Sequence, residues 1–151
     1  MKILVDNREK AILDFEHPYI TSLEHTTLSV GDYGCRYNDN HIPPVFFERK
    51  SIPDLFGTLS KGYSRFKREI LRSKEQKVLL VIIIEGSLTK ILKGYERSQR
   101  SGDEIVKQLF TLMVKHHIPF ICCSSRDEMS RFITETYLAI GRERIRNMEA
   151  K

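Results

Sequence analysis

The seven residues "VLLVIII", Val78 to Ile84, constrain the fold of this chain more than any other stretch. A continuous run of aliphatic, mostly β-branched side chains has no polar face, so as a strand it needs cover on both sides of a sheet. It is far too short to cross a bilayer. Around it the hydrophobic period changes from strand to helix and back. "SGDEIVKQLFTLMVKHH" (101–117) has the pattern of an amphipathic helix, "IPFICC" (118–123) that of another buried strand, and "SRDEMSRFITETYLAIGRERIRN" (125–147) that of a closing helix. Such alternation predicts a sheet with helices on its faces.

The first half is richer in strands. "KILVDN" predicts a short strand whose end exposes Asp6, Arg8 and Glu9. "HTTLSV" (25–30), "YGCRY" (33–37) and "PPVFFERK" (43–50) follow with turn residues between them, and they suggest an antiparallel meander. Ser51 reads as a helix N-cap, with Pro53 and Asp54 in the first turn of a helix through "DLFGTL". Beyond Gly62, "YSRFKREILRSKE" places Tyr63, Phe66 and Ile70 on one helical stripe and Lys61, Arg65, Arg68 and Arg72 on another. The expectation is an α/β fold, a central mixed sheet flanked by helices, in one domain of 151 residues with a C-terminal end that frays.

Composition narrows the setting. The chain is 40% apolar and 30% charged, as ordinary globular proteins are, and its N-terminus has no signal-peptide pattern. Cys35, Cys122 and Cys123 are odd in number and two are adjacent, which makes no disulfide framework and suits a reducing compartment. The expected location is cytoplasmic, nucleoid-associated or nuclear according to the cell, with no membrane partner. A net charge of +5 admits a polyanion such as nucleic acid without requiring one.

One strand carries charge where burial is expected. In "FFERK", Glu48 and Lys50 share one strand face while Phe47 and Arg49 share the other. An isolated Glu-x-Lys is ordinarily a salt bridge. Here Asp32 sits at a glycine bend where it can lie beside Glu48 on a neighbouring strand, and two such carboxylates repel unless a cation joins them. Hard divalent ions such as Mg²⁺ take oxygen ligands and keep waters for chemistry, and a lysine beside one can orient or help deprotonate an attacking water and balance phosphate charge. That combination suits metal-assisted phosphodiester hydrolysis.

"VDNRE" (5–9), "LSVGDY" (28–33) and "ERKSIPDL" (48–55) resemble, in order and spacing, three signatures of the XPF-type structure-specific endonuclease domain. The likeness extends over "VLLVIIIEG", "YERSQRSGDEIVKQL" and "IPFICCSSRDEMSRFI", in effect the whole chain. It implies a restriction-endonuclease-like three-layer sandwich and Mg²⁺- or Mn²⁺-dependent incision of branched, flap or fork DNA in repair or recombination. Carried over, Asp32 and Glu48 would be metal ligands with the backbone carbonyl of Arg49, and Lys50 the catalytic lysine. Asp6, Arg8 and Glu9 would flank the site, the acids through water or a second metal and Arg8 through a phosphate or a carboxylate. Arg49 would anchor the motif, and Asp54 and Ser51 would brace the next helix.

By default the basic stripe of Lys61, Arg65, Arg68 and Arg72 is a solvated surface, but its place just after the catalytic strand favours DNA contact. Arg97, Arg100 and Lys93 would touch a second DNA segment or lie in a free loop. His116, His117, Cys122 and Cys123 lack the separated pairs of a zinc site. Met129, Phe132, Ile133, Tyr137 and Ile140 form an apolar stripe read first as core, while the family's habit of pairing makes a homodimer, or a pair with another nuclease or DNA-binding subunit, the expected assembly. The helix-hairpin-helix and helicase modules of many members are expected to be absent. Two alternatives stand beside the flap or fork endonuclease: a Holliday-junction resolvase or restriction-like nuclease of the same fold, and a non-catalytic DNA-binding or scaffolding subunit.

Overall fold

The computed structural model describes residues 1–151. Its strands are β1 (Lys2–Asp6), β2 (Ser22–Thr26), β3 (Tyr33–Arg36), β4 (Val45–Ser51), β5 (Leu79–Glu85) and β6 (Phe120–Cys123). They form one sheet in the order β2-β1-β3-β4-β5-β6, antiparallel across β1, β3 and β4 and parallel at β1–β2 and from β4 through β6. Five helices accompany them: α1 (Ile52–Thr58), α2 (Tyr63–Glu75), α3 (Leu88–Leu92), α4 (Gly102–His116) and α5 (Arg126–Glu149).

The run that resists exposure lies in β5, one strand in from the edge, and its alternation divides the core in two. Leu80, Ile82 and Ile84 point into a cluster with Phe56, Phe66 and Leu109 from α1, α2 and α4. Val81 and Ile83 point the other way, onto Met129, Ile133 and Tyr137 of α5. Both faces are therefore covered, as the all-apolar sequence demands. Much of the expected stripe on α5 is core, and Phe132 on the same helix remains exposed.

Three expectations about strands are corrected. The meander is not formed: β2 pairs parallel with β1 at the sheet edge, and only the β3–β4 limb is the expected antiparallel pair. The stretch between β1 and β2 returns along the α5 face of the sheet, where Leu13 is buried, and the Met1 amine and carbonyl bind Tyr19 and Thr21, so the chain re-enters alongside β1 in the same direction. β2 stops at Thr26 rather than Val30 because Asp6 captures the Leu28 amide at 2.8 Å, and Leu28 and Val30 turn inward. β6 is the opposite edge and only Cys123 is fully buried there. The sequence pattern also gave no sign of α3, a single capped turn after β5. α5 stays helical to Glu149 instead of fraying near its charged end. Cys35 and Cys123 are buried free thiols and Cys122 is half-buried. No helix is long and apolar enough to cross a membrane.

Candidate active site

The site is built from the ends of β1, β3 and β4 and the helix pair that follows. Tyr33 pairs with Phe47, so antiparallel register sets Asp32 opposite Glu48. Gly31 adopts φ +74°, and a Cβ there would lie 3.0 Å from the Phe47 carbonyl oxygen, so glycine is required for this close turn. The Asp32 amide donates to the Phe47 carbonyl at 2.7 Å, while its Oδ2 accepts the Arg49 amide at 2.8 Å. A side chain thus takes over a ladder position and is held against β4. Because N–H and C=O of one strand residue face the same neighbour, the Arg49 carbonyl is also on the Asp32 side.

Alternation along β4 sorts its charges. Glu48 and Lys50 face one side, where Lys50 Nζ lies 3.0 Å from Glu48 Oε1. Arg49 faces the other and makes two hydrogen bonds to Glu9, at 2.9 and 3.0 Å. Both members of that pair are nearly enclosed, with side chains 9% and 5% exposed. Glu9, expected beside the reacting groups, is instead committed to anchoring Arg49 behind the strand. Asp6 is equally committed: Oδ1 accepts the Leu28 amide, and Oδ2 accepts the Arg8 amide at 3.1 Å and its Nε at 2.8 Å. It holds the Arg8 head, which is 65% exposed, at the cleft margin.

These groups open into a cleft of 480 Å³ in which Phe66 is the one hydrophobic lining residue. Asp32, Glu48 and Lys50 line it with Arg8 and Asp54, and α2 contributes Arg65, Glu69 and Arg72. Ser51 caps α1 by accepting the Asp54 amide at 3.2 Å, which fixes Asp54 in the first turn. Arg72 also donates to the Ser29 carbonyl at 3.0 Å. Lys61 and Arg68 are exposed beyond the cleft, and Arg97 is exposed on the loop before α4. Arg100, expected among the DNA contacts, is instead a clamp: its guanidinium donates to the Leu59 carbonyl at 2.6 Å, to Gln108 and to Glu104.

Glu69 escaped the sequence reading. Its Oε1 accepts the Gly31 amide at 2.8 Å, tying α2 to the turn that carries Asp32. The signal was present, since 65, 69 and 72 share a helical face and an acid interrupts an otherwise basic stripe. Only the cations of that stripe stood out.

The electrostatics are those of a site short of positive charge. Burial pushes the Asp32 carboxyl up to about 7, against the pull of the Arg49 amide and Lys50 and with help from Glu9 and Glu69. Burial, then the charges of Asp32 and Glu69, raise Glu48 well above the carboxylate range. For Lys50 burial works downward, but Glu48, Asp32 and Asp54 outweigh it, so its ammonium is held more firmly than usual. Asp6 is lowered in spite of burial because Arg8 and the Leu28 amide stabilise its charge. The Glu9 hydrogen bonds likewise raise Arg49.

The donor set suits a hard divalent ion: carboxylate oxygens that repel one another, with no thiolate or imidazole among the lining residues. No three Asp, Glu, His or Cys side chains are grouped tightly enough to hold an ion alone. One or two carboxylates, with several waters and substrate phosphate oxygens completing the shell, are the way Mg²⁺ is usually held.

A family model, the ERCC4 domain, matches residues 5–136. Among solved structures, XPF from Aeropyrum pernix superposes with a TM-score of 0.66 at 18% identity, covering 99% of this chain and 69% of that one. The structure of XPF from Aeropyrum pernix in complex with DNA gives a TM-score of 0.65 at 18% identity over 94% of this chain and 66% of the other. This chain therefore spans about two thirds of the chains it superposes on. At this identity the likeness is one of fold: the same mixed sheet with flanking helices. A search of curated proteins finds no match.

Proposed function

This chain belongs to the ERCC4 domain family, a family of structure-specific DNA nucleases, and from that premise we propose that it is a Mg²⁺- or Mn²⁺-dependent endonuclease that cuts branched, flap or fork DNA. The observation that carries the reading is the convergence of Asp32, Glu48 and Lys50 on one cleft wall, with Lys50 Nζ 3.0 Å from Glu48. A purely structural ion pair does not need a second, repelling carboxylate opposite it.

In this reading Asp32, Glu48 and the Arg49 carbonyl hold the ion, which supplies Lewis-acid stabilisation of the charge that develops on the phosphate. Lys50, whose ammonium lies against Glu48 at 3.0 Å, orients or helps deprotonate the attacking water and offsets phosphate charge. Arg8, braced by Asp6, meets a phosphate oxygen at the margin. Arg65 and Arg72 steer the backbone into the cleft without reading bases. Pairing with a second copy or another subunit belongs to the reading, and the exposed Phe132, Ile145 and Met148 of α5 offer it apolar surface.

The test is a panel of labelled flap, fork, four-way and linear duplex DNA with Mg²⁺ or Mn²⁺. Flap or fork DNA is expected to be cut, and Glu48→Ala or Lys50→Ala to stop cutting while binding survives. Cutting confined to four-way junctions would make the chain a resolvase. Binding without cutting under either ion would make it a scaffold.

A further inference from the structure

A second cavity, of 610 Å³, lies between the α1–α2 turn and the loop before α4, and Pro53 and Gly57 line both it and the cleft. The two spaces meet over α1. At that saddle the sequence places glycine inside a helix, the residue type least favourable there after proline. Packing does not demand it, because a Cβ on Gly57 would meet nothing within 4 Å. Its effect is to keep the passage low.

The chemistry of the second cavity differs from that of the cleft. No carboxylate lines it. Tyr63 and Tyr95 contribute half-buried rings, and Tyr95 is set against Phe56 with centroids 6.1 Å apart. Lys61 and Arg97 are exposed there and form no ion pair. Arg100, tied to Leu59 and Gln108, makes the far wall rigid. Cations beside aromatic faces are what unpaired nucleotides bind, and every base offers a face to stack. The volume falls within the range of small-ligand sites, roughly 300–1,000 Å³.

We propose that this cavity receives an unpaired nucleotide of the DNA, stacked on Tyr63, with Lys61 and Arg97 on the flanking phosphates. The proposal deepens the nuclease reading and rests on it. A base inside a duplex has both faces covered by its neighbours and cannot enter. Occupancy therefore registers the joint between paired and unpaired DNA next to the scissile bond.

The experiment measures binding without divalent ions, so it does not depend on incision. A short single-stranded oligonucleotide carrying 2-aminopurine and a blunt duplex of equal length are titrated with wild type, Tyr63→Ala, Tyr63→Phe and Gly57→Gln, and each variant's melting temperature is recorded. Wild type is expected to quench the 2-aminopurine. Tyr63→Ala should weaken single-strand binding by about tenfold, the loss of one stacked base, and leave duplex binding unchanged. Tyr63→Phe keeps the ring and should bind as wild type. Gly57→Gln should melt no lower than wild type yet bind the single strand less well. No quenching by wild type, or equal losses on single strand and duplex in Tyr63→Ala, overturns the inference. If wild type cuts flaps while Tyr63→Ala binds single strands normally, this site fails and the nuclease reading stands. If the tyrosine effects appear but nothing is cut, the site stands and the nuclease reading fails.

Discussion

Asp32 Oδ2 and the Arg49 amide meet at 2.8 Å, so a carboxylate occupies a rung of the β3–β4 ladder. One oxygen of Asp32 is thereby spent on holding position while the other remains directed at the cleft. Backbone geometry and site chemistry are joined in one side chain.

Asp32→Asn separates these roles, because the amide oxygen still accepts from Arg49 but carries no charge. Incision is expected to fall about 10³-fold or more, with the fold intact. The same variant reports the pH linkage. With the folded value near 7 and the ordinary value 3.8, the metal-free folded protein binds more protons than the unfolded chain in that window. Stability from this group is therefore lost as pH rises from about 4 to about 7, on the order of 4 kcal/mol in all. The melting temperature of Asp32→Asn relative to wild type should climb between pH 5 and 8, measured in EDTA. A constant difference across that range contradicts the linkage.

Glu9 and Arg49 form an enclosed pair, and removing one partner strands the other's charge. Glu9→Ala is expected to lose about 3–5 kcal/mol in chemical denaturation. The double variant Glu9→Leu with Arg49→Leu should recover most of that loss, because an apolar pair of similar volume leaves no buried charge. Equal instability of single and double variants would show that the pair acts through packing alone.

Glu69 positions the Gly31–Asp32 turn. Glu69→Gln retains an acceptor for the Gly31 amide and should keep most activity, whereas Glu69→Ala frees the turn and should lower incision and Mn²⁺ affinity about 10–100-fold. Calorimetric Mn²⁺ titration reads the second effect without DNA. Equal behaviour of the two variants would remove the hydrogen bond from the explanation.

The arginines divide by partner. Arg65→Ala and Arg72→Ala should each lower the slope of log affinity against log salt by about 1, across all DNA sequences. Arg100→Ala should leave the slope alone and lower the melting temperature instead, since its guanidinium holds the Leu59 carbonyl and Gln108. Anisotropy titrations at several salt concentrations distinguish the two classes.

Much of this was legible in the chain because it rests on short-range rules. The period-2 alternation of "FFERK" put Glu48 and Lys50 together and Arg49 opposite, and Ser51 announced its own helix cap. The apolar run ending at Ile84 required two covered faces, and α4 and α5 were visible as helices. What stayed hidden depends on distant partners. β2 could not be paired correctly because its direction is decided by how residues 7–21 return along the α5 face of the sheet, and its length by Asp6 capturing the Leu28 amide. Glu9 reads as an acid flanking the site and Arg100 as a DNA contact, since nothing local shows that Arg49 and Leu59 will meet them. Glu69 belongs to the site only through a turn 38 residues earlier in the chain.

The sheet order has an architectural consequence. Asp32 and the β4 residues stand in the middle of the sheet, and its two margins, β2 and β6, contribute no residue to the cleft. Material added at either margin, whether an inserted strand, a fused module or a neighbouring subunit, extends the sheet without displacing a reacting group. The cleft is thereby insulated from whatever joins the sheet at its margins, and one such centre can accept many different neighbours there.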